Sequence, residues 1–214
     1  MPPNSGSPWR ALIVAGAWYL LASAVAAPFV LLDQAGRLPP GMGGALAMLA
    51  VPGLLLVPVL RTAPLREWLR PPSAGPVQVV LAFALVLLVN RWLVPLLGVP
   101  MADIGAVAAG PAAPAATGWH LLRLAAIAVA APLGEELFFR GWLWRRLAVA
   151  WSPPAVALAT GLAFAAAHGQ FAASVLPLTL ALTWLRLAGG GLRAPLALHL
   201  AMNTFAAAVT VAEL

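Results

Sequence analysis

Residues 131–142 read Ala-Pro-Leu-Gly-Glu-Glu-Leu-Phe-Phe-Arg-Gly-Trp and place two adjacent carboxylates, Glu135 and Glu136, in a strongly apolar part of the chain. The whole chain contains only six acidic residues. A charge at the centre of a bilayer costs about 2.5–3.5 kcal/mol on insertion scales, so an acid inside a membrane span indicates a functional site. The pair therefore directs attention both to a membrane fold and to chemistry within it.

The composition is that of a membrane protein. Of the 214 residues, 63% are hydrophobic and 8% are charged, whereas soluble domains have about 25% charged residues. Several apolar runs reach the roughly 20 residues of a transmembrane helix, and they are too long for barrel strands. We therefore predict an all-α, polytopic transmembrane helical bundle.

The apolar runs predict about seven spans, and six or eight also fit the pattern. Pro- and Gly-rich breaks separate most of them, and residues 99–118 are predicted to be an ordered loop or a re-entrant segment. The first apolar run continues to Leu32, which favours an uncleaved anchor over a signal peptide. The predicted spans are 10–32, 42–60, 76–98, 119–149, 153–169, 171–188 and 194–213.

The net charge of +6 comes from twelve basic residues, all of them Arg. These lie mostly at the ends of apolar runs, where they set membrane orientation, so nucleic acid is not expected as a partner. Their distribution predicts a cytoplasmic N-terminus. The Ala, Arg and Pro bias without Lys is typical of GC-rich bacteria and predicts a bacterial cell membrane. With no Cys, disulfides and thiolate metal sites are excluded.

The two glutamates are not equivalent. Glu136 and Arg140 are four residues apart on a helix and share a face, which predicts an ion pair. Glu135 points about 100° away and has no partner on its own helix, so it is the candidate for proton transfer.

Polar side chains on two further spans complete the candidate constellation. His168 follows Phe164 by one turn, and Asn203 follows His199 by one turn. His120, at the start of a span, is interpreted as interfacial and non-catalytic. A lone His in an apolar helix is usually a packed structural residue, but two of them with an Asn and two Glu favour a site.

Counting residues estimates the depth of these groups. Glu135 and His168 lie at similar distances from the turn near Trp151, so about 1.5 Å of rise per residue puts them at nearly equal depth. The same count places His199 and Asn203 somewhat nearer the cytoplasm. A carboxylate with an imidazole can deprotonate water, and a second imidazole with an amide can stabilise an oxyanion. These groups suffice for amide hydrolysis.

Three motifs then resemble one family. They are Glu-Glu-x-x-x-Arg at 135–140, Phe-x-x-x-His at 164–168 and His-x-x-x-Asn at 199–203. In this order they resemble the CAAX-prenyl-protease and bacteriocin-processing family of intramembrane proteases, the type II CAAX proteases. The resemblance covers about 119–210. It implies a catalytic helical core at 119–213, preceded by transmembrane helices and loops at 1–118.

The resemblance also implies roles for individual residues. Glu135 with His168 would activate water, and His199 with Asn203 would stabilise the oxyanion. Glu136, Arg140 and Phe164 would support the site. In a zinc-dependent version of the mechanism, Glu135, His168 and His199 would be the ligands. The zincin motif His-Glu-x-x-His is absent from the sequence, and we favour a metal-free general base.

The implied partners are membrane lipid and a peptide or membrane-protein substrate. Bacteria are not expected to offer prenylated CAAX substrates, so a signal-like peptide, a bacteriocin precursor or a membrane regulator is expected instead. Two other interpretations stay open. One is a non-catalytic immunity or regulatory scaffold, and the other is a small proton-coupled carrier, since buried acids and His also form proton relays.

Overall fold

The structure is a computed structural model that describes residues 7–62, 74–96, 118–189 and 191–212. Within these ranges the chain forms seven helices and no strands, which confirms the predicted all-α class. The predicted loop or re-entrant segment at 99–118 lies outside the described residues, except for its last position.

The first three helices are α1 (Pro8–Gln34), α2 (Met42–Leu60) and α3 (Pro76–Leu96). By length and hydropathy, these are the described helices able to cross a membrane on their own. Helices α1 and α3 begin with Pro, whose missing N–H and fixed φ suit the first helical turn.

The remaining four helices carry the polar motifs. Helix α4 is a continuous run over 118–147, interrupted by two π-helical segments, Ala126–Ala130 and Glu136–Leu143. The others are α5 (Pro153–Ala167), α6 (Leu176–Gly189) and α7 (Arg193–Ala212). Each of the seven predicted spans thus corresponds to one helix. Helices α5 and α6 are apolar but have only 15 and 14 residues.

The start of the sixth span differs most from its predicted position. It was predicted at residue 171, whereas α6 begins at Leu176. A short 3-10 turn, Gly169–Phe171, follows α5, and the Ser174 hydroxyl donates to the carbonyl of Phe171 at 2.9 Å. Ser therefore stabilises a turn here by bonding the local backbone, as it often does.

Helices α1 and α2 form a tight hairpin that packs on α4. At the turn, the Asp33 carboxylate accepts hydrogen bonds from the backbone N–H groups of Gly41 and Gly44, both at 3.2 Å. Gly41 has φ +81° at the start of α2, a conformation that glycine adopts without strain. Further along, a Cβ on Gly134 would lie 2.5 Å from Cβ of Pro52, so α4 approaches α2 closely beside Glu135.

The apolar core lies between the helices of the motif-bearing half. It is built around large side chains that are almost fully buried, and several of them pair as edge-to-face or stacked aromatic rings. Its largest members include Phe138, Leu143, Leu147, Phe164, Leu182, Leu185 and Leu198.

Candidate active site

The two glutamates lie at the start of a π-helical segment of α4. Glu135 ends a regular α-helical turn and Glu136 begins the π segment. Single π-helical stretches inside α-helices occur frequently at functional sites. The Glu136 side chain is completely buried, whereas that of Glu135 is 19% exposed. The two carboxylates therefore differ in solvent exposure, in line with the predicted difference between them.

The predicted ion pair between Glu136 and Arg140 is present. Nη1 of Arg140 donates to Oε1 of Glu136 at 2.9 Å, and both side chains are fully buried. The guanidinium carbon of Arg140 also lies 4.1 Å from the ring centroid of Phe164, within the range of a cation–π interaction. The pair thus fixes α4 against the Phe-x-x-x-His helix.

His199 joins the two glutamates. Its Nδ1 lies 3.0 Å from Oε1 of Glu136, and its Nε2 lies 3.7 Å from Oε2 of Glu135. Counting residues places His199 somewhat nearer the cytoplasm than Glu135, and the two side chains nevertheless meet.

His168 lies at the C-terminal end of α5. Its Nδ1 is 2.8 Å from the carbonyl oxygen of Phe164, and its ring packs 4.6 Å from the Phe164 ring. A carbonyl only accepts hydrogen bonds, so Nδ1 carries the proton and Nε2 retains a lone pair in the neutral ring. The next residue, Gly169, has φ +56° and ends the helix, in the manner of a glycine C-cap.

Asn203 fixes the other π segment of α4. Its Nδ2 donates to the carbonyl oxygen of Ile127 at 2.9 Å, and Ile127 lies within Ala126–Ala130. An amide nitrogen has two hydrogens, so one N–H remains for a second acceptor.

A cavity of about 730 Å³ connects these groups. Glu135, His168, His199 and Asn203 all line it, and most of its remaining wall is apolar. The structure therefore brings the four predicted catalytic residues to one cavity. Phe164, Glu136 and Arg140 lie behind them in the core.

Several polar residues near this site were not predicted. Tyr19 and Ser23 of α1 line the same cavity, whereas the sequence predicts α1 only as a membrane anchor. The sequence does contain an indication for Tyr19, because it is the single Tyr of the chain and lies in an apolar span. Nε of Arg186 donates to the carbonyl oxygen of Arg140 at 3.1 Å. This Arg had been interpreted only as part of the cytoplasmic positive charge.

His120 lies in the first turn of α4, at the span end where the sequence places it, and its side chain is buried. It is not among the residues lining the cavity.

The zinc-dependent alternative would need Glu135, His168 and His199 to lie together as ligands. In the described ranges, no group of three or more His, Asp or Glu side chains is close enough together to hold a metal ion. A structural or catalytic zinc site needs at least three protein ligands. His199 and Glu135 approach each other, whereas Nδ1 of His168 bonds a backbone carbonyl and leaves the Nε2 lone pair of His168 available. No catalytic step is therefore derived through zinc.

Comparison with known proteins agrees with the motifs. No curated protein and no solved structure matches the chain. One family model does, under the description type II CAAX prenyl endopeptidase Rce1-like. Its match covers residues 117–205, which contain every residue of the three motifs and none of α1–α3. The motif-bearing segment is thus similar to this family, in agreement with the resemblance to type II CAAX proteases that the three motifs indicate.

Proposed function

We propose that this chain is an intramembrane endopeptidase that hydrolyses a peptide bond of a membrane-associated protein or peptide. The observation that carries the proposal is the single cavity that Glu135, His168, His199 and Asn203 share, with a buried ion pair behind it. The Rce1-like match of the same segment supports it independently.

Glu135 is the proposed general base. Its carboxylate is partly exposed to the cavity, whereas that of Glu136 is occupied by Arg140 and His199. A water held by Glu135 and by Nε2 of His168 would attack the carbonyl carbon and transfer a proton to Glu135. As the C–N bond breaks, that proton passes to the leaving amine.

His199 and Asn203 are the proposed oxyanion donors. Nδ1 of His199 faces Glu136, so the proposed donor to the oxyanion is Nε2, which has to carry a proton for this role. The free N–H of Asn203 supplies a second donor, and such preorganised donors are a major source of rate enhancement.

The decisive test is Glu135→Gln, which keeps the shape of the side chain and removes the base. Loss of a general base lowers the rate by about 10²- to 10⁴-fold. Membrane proteomes of cells carrying wild type or Glu135→Gln should differ by one or more uncleaved precursors, and the purified wild type should cleave them in detergent. Leu81→Ala, on an exposed part of α3, is the control that should cleave normally.

Undiminished cleavage by Glu135→Gln would contradict the proposal. Full biological activity of Glu135→Gln, His168→Ala and His199→Ala would instead favour a non-catalytic immunity or regulatory scaffold. Metal analysis of the purified, active enzyme addresses the zinc-dependent version. Stoichiometric zinc whose removal abolishes cleavage would support that version over the metal-free base.

The proposed setting is the cell membrane of a bacterium, with the N-terminus in the cytoplasm. Membrane lipid surrounds the helices, and the largely apolar cavity is suited to an apolar peptide segment. Single-cysteine labelling tests the orientation, because the chain has no native Cys. A Cys at position 10 should react with impermeant reagents only after the cytoplasmic face is exposed.

A further inference from the structure

Helix α1 contributes a polar group to the candidate site from outside the Rce1-like segment. The Tyr19 hydroxyl donates a hydrogen bond to the carbonyl oxygen of Ala167, the last residue of α5. Tyr19 also lines the cavity and lies close enough to Glu135 to interact with its charge. Ser23, one turn further along α1, lines the same cavity.

The acceptor of this hydrogen bond is a helix-end carbonyl. The last four carbonyls of an α-helix lack an intrahelical donor, and in an apolar bundle each needs another one. At the end of α5, Nδ1–H of His168 satisfies the Phe164 carbonyl and the Tyr19 hydroxyl satisfies the Ala167 carbonyl. His168 thus lies directly beside a peptide that α1 fixes.

The backbone at the end of α5 is irregular and gains from this hydrogen bond. The chain leaves the α-helix at His168, and Gly169 takes a left-handed conformation. Without the Tyr19 donor, the last turn of α5 can fray and the ring of His168 can leave the cavity wall. Fixed rotamers and backbone are what hold a reactive group within the tolerance that catalysis requires.

We propose that Tyr19 is a positioning residue that holds His168 in the site from α1. Tyr19 acts through the Ala167 carbonyl rather than on the substrate. The structural part of this inference stands on the hydrogen bond between Tyr19 of α1 and Ala167 of α5, and its kinetic part rests on the proposed function. The two parts have separate readouts.

The structural readout is the imidazole ¹⁵N spectrum of the full chain in nanodiscs. The chain has three His, so the spectrum is simple to assign by substitution. Tyr19→Phe removes one hydroxyl and keeps the ring. We expect it to shift and broaden the signals of His168 while those of His120 and His199 stay within the linewidth. Leu20→Ala, on the exposed side of the same helix, should change none of the three.

The kinetic readout is cleavage of the precursor that accumulates in Glu135→Gln cells. Loss of a hydrogen bond that orients a catalytic group is expected to lower kcat by about tenfold. KM should not change, because Tyr19 is not proposed to bind substrate. A rise in KM with unchanged kcat would overturn the positioning role in favour of substrate binding.

The structural and kinetic readouts distinguish a failure of the positioning role from a failure of the proposed function. An unchanged His168 signal in Tyr19→Phe overturns the inference whatever the kinetics show. Equal perturbation of all three His also overturns it, since that indicates a general loss of structure. Full cleavage by Glu135→Gln would instead remove the proposed function and leave the His168 shift interpretable as a structural coupling of α1 to α5.

Discussion

Helices α1–α3 and helices α4–α7 are both rich in apolar residues but use them in opposite ways. In α1 and in α3, only 17% of the most apolar 18-residue stretch is buried inside the protein. In α4, the fully buried residues include Glu136 and Arg140. Helices α1 and α3 thus expose most of their apolar side chains, whereas the core of α4–α7 encloses a buried ion pair.

Helix α2 belongs to both halves, since 44% of its most apolar stretch is buried. It packs against α1 at one face and meets α4 where Gly134 approaches Pro52. The comparison teaches that apolar composition alone does not separate a lipid-facing helix from one that supports a site. Close backbone contacts and buried polar pairs do, and substitutions can test this distinction.

The largest effect is expected from Arg140→Met. Removing one partner of a buried ion pair costs about 3–5 kcal/mol, because it leaves an uncompensated charge. Glu136 would then retain the contact with His199 and the weaker attraction of Arg186. We expect a large fall in the midpoint of thermal unfolding, measured by Trp fluorescence in detergent. We also expect loss of cleavage. Arg37→Met, at an exposed position before α2, should change stability by less than about 0.5 kcal/mol.

A second substitution sharpens this result. Adding Glu136→Gln to Arg140→Met removes the unpaired charge, so the double variant should be more stable than Arg140→Met alone. It should still be inactive, because His199 loses its charged partner. If the double variant is destabilised by the sum of the two single effects, the ion pair is not what determines stability here.

The sequence predicted much of this arrangement for identifiable reasons. The Glu136–Arg140 pair followed from helical spacing, which the chain specifies locally. The hairpin count gave His168 and Glu135 a common depth, and both line the cavity. Helix α2 has the predicted bounds, 42–60.

Other features could not be read from periodicity. A π segment inserts an irregularity that a 3.6-residue pattern does not reveal, and two of them occur in α4. The contact between His199 and Glu135 depends on how α7 and α4 are placed relative to each other, which helix-end counting does not specify. Tyr19 was missed because the motifs directed attention to 119–210. Its partner is a backbone carbonyl 148 residues away.

An intermediate effect is expected from Gly134→Ala. The added Cβ would lie 2.5 Å from Cβ and 2.7 Å from Cα of Pro52, so α2 must move. Overpacking of this kind costs about 1–3 kcal/mol. Because Glu135 is the next residue, we also expect a fall in kcat. Unchanged stability and activity would show that the α2–α4 contact yields easily and does not position the base.

The smallest effect, with the opposite sign, is expected from Gly16→Ala in α1. A Cβ at Gly16 would meet nothing within 4 Å, and Ala is more favourable than Gly within a helix by about 0.5–1 kcal/mol. For a chain of this size that corresponds to a rise of about 1–4 °C in the unfolding midpoint. Cleavage should not change, because Gly16 does not line the cavity.

The same Gly→Ala substitution is thus expected to stabilise the lipid-facing half at Gly16 and to destabilise the half that holds the site at Gly134. A fall in stability at Gly16 would break the comparison, since it would mean that another surface, such as a second copy of this chain, packs against that face of α1.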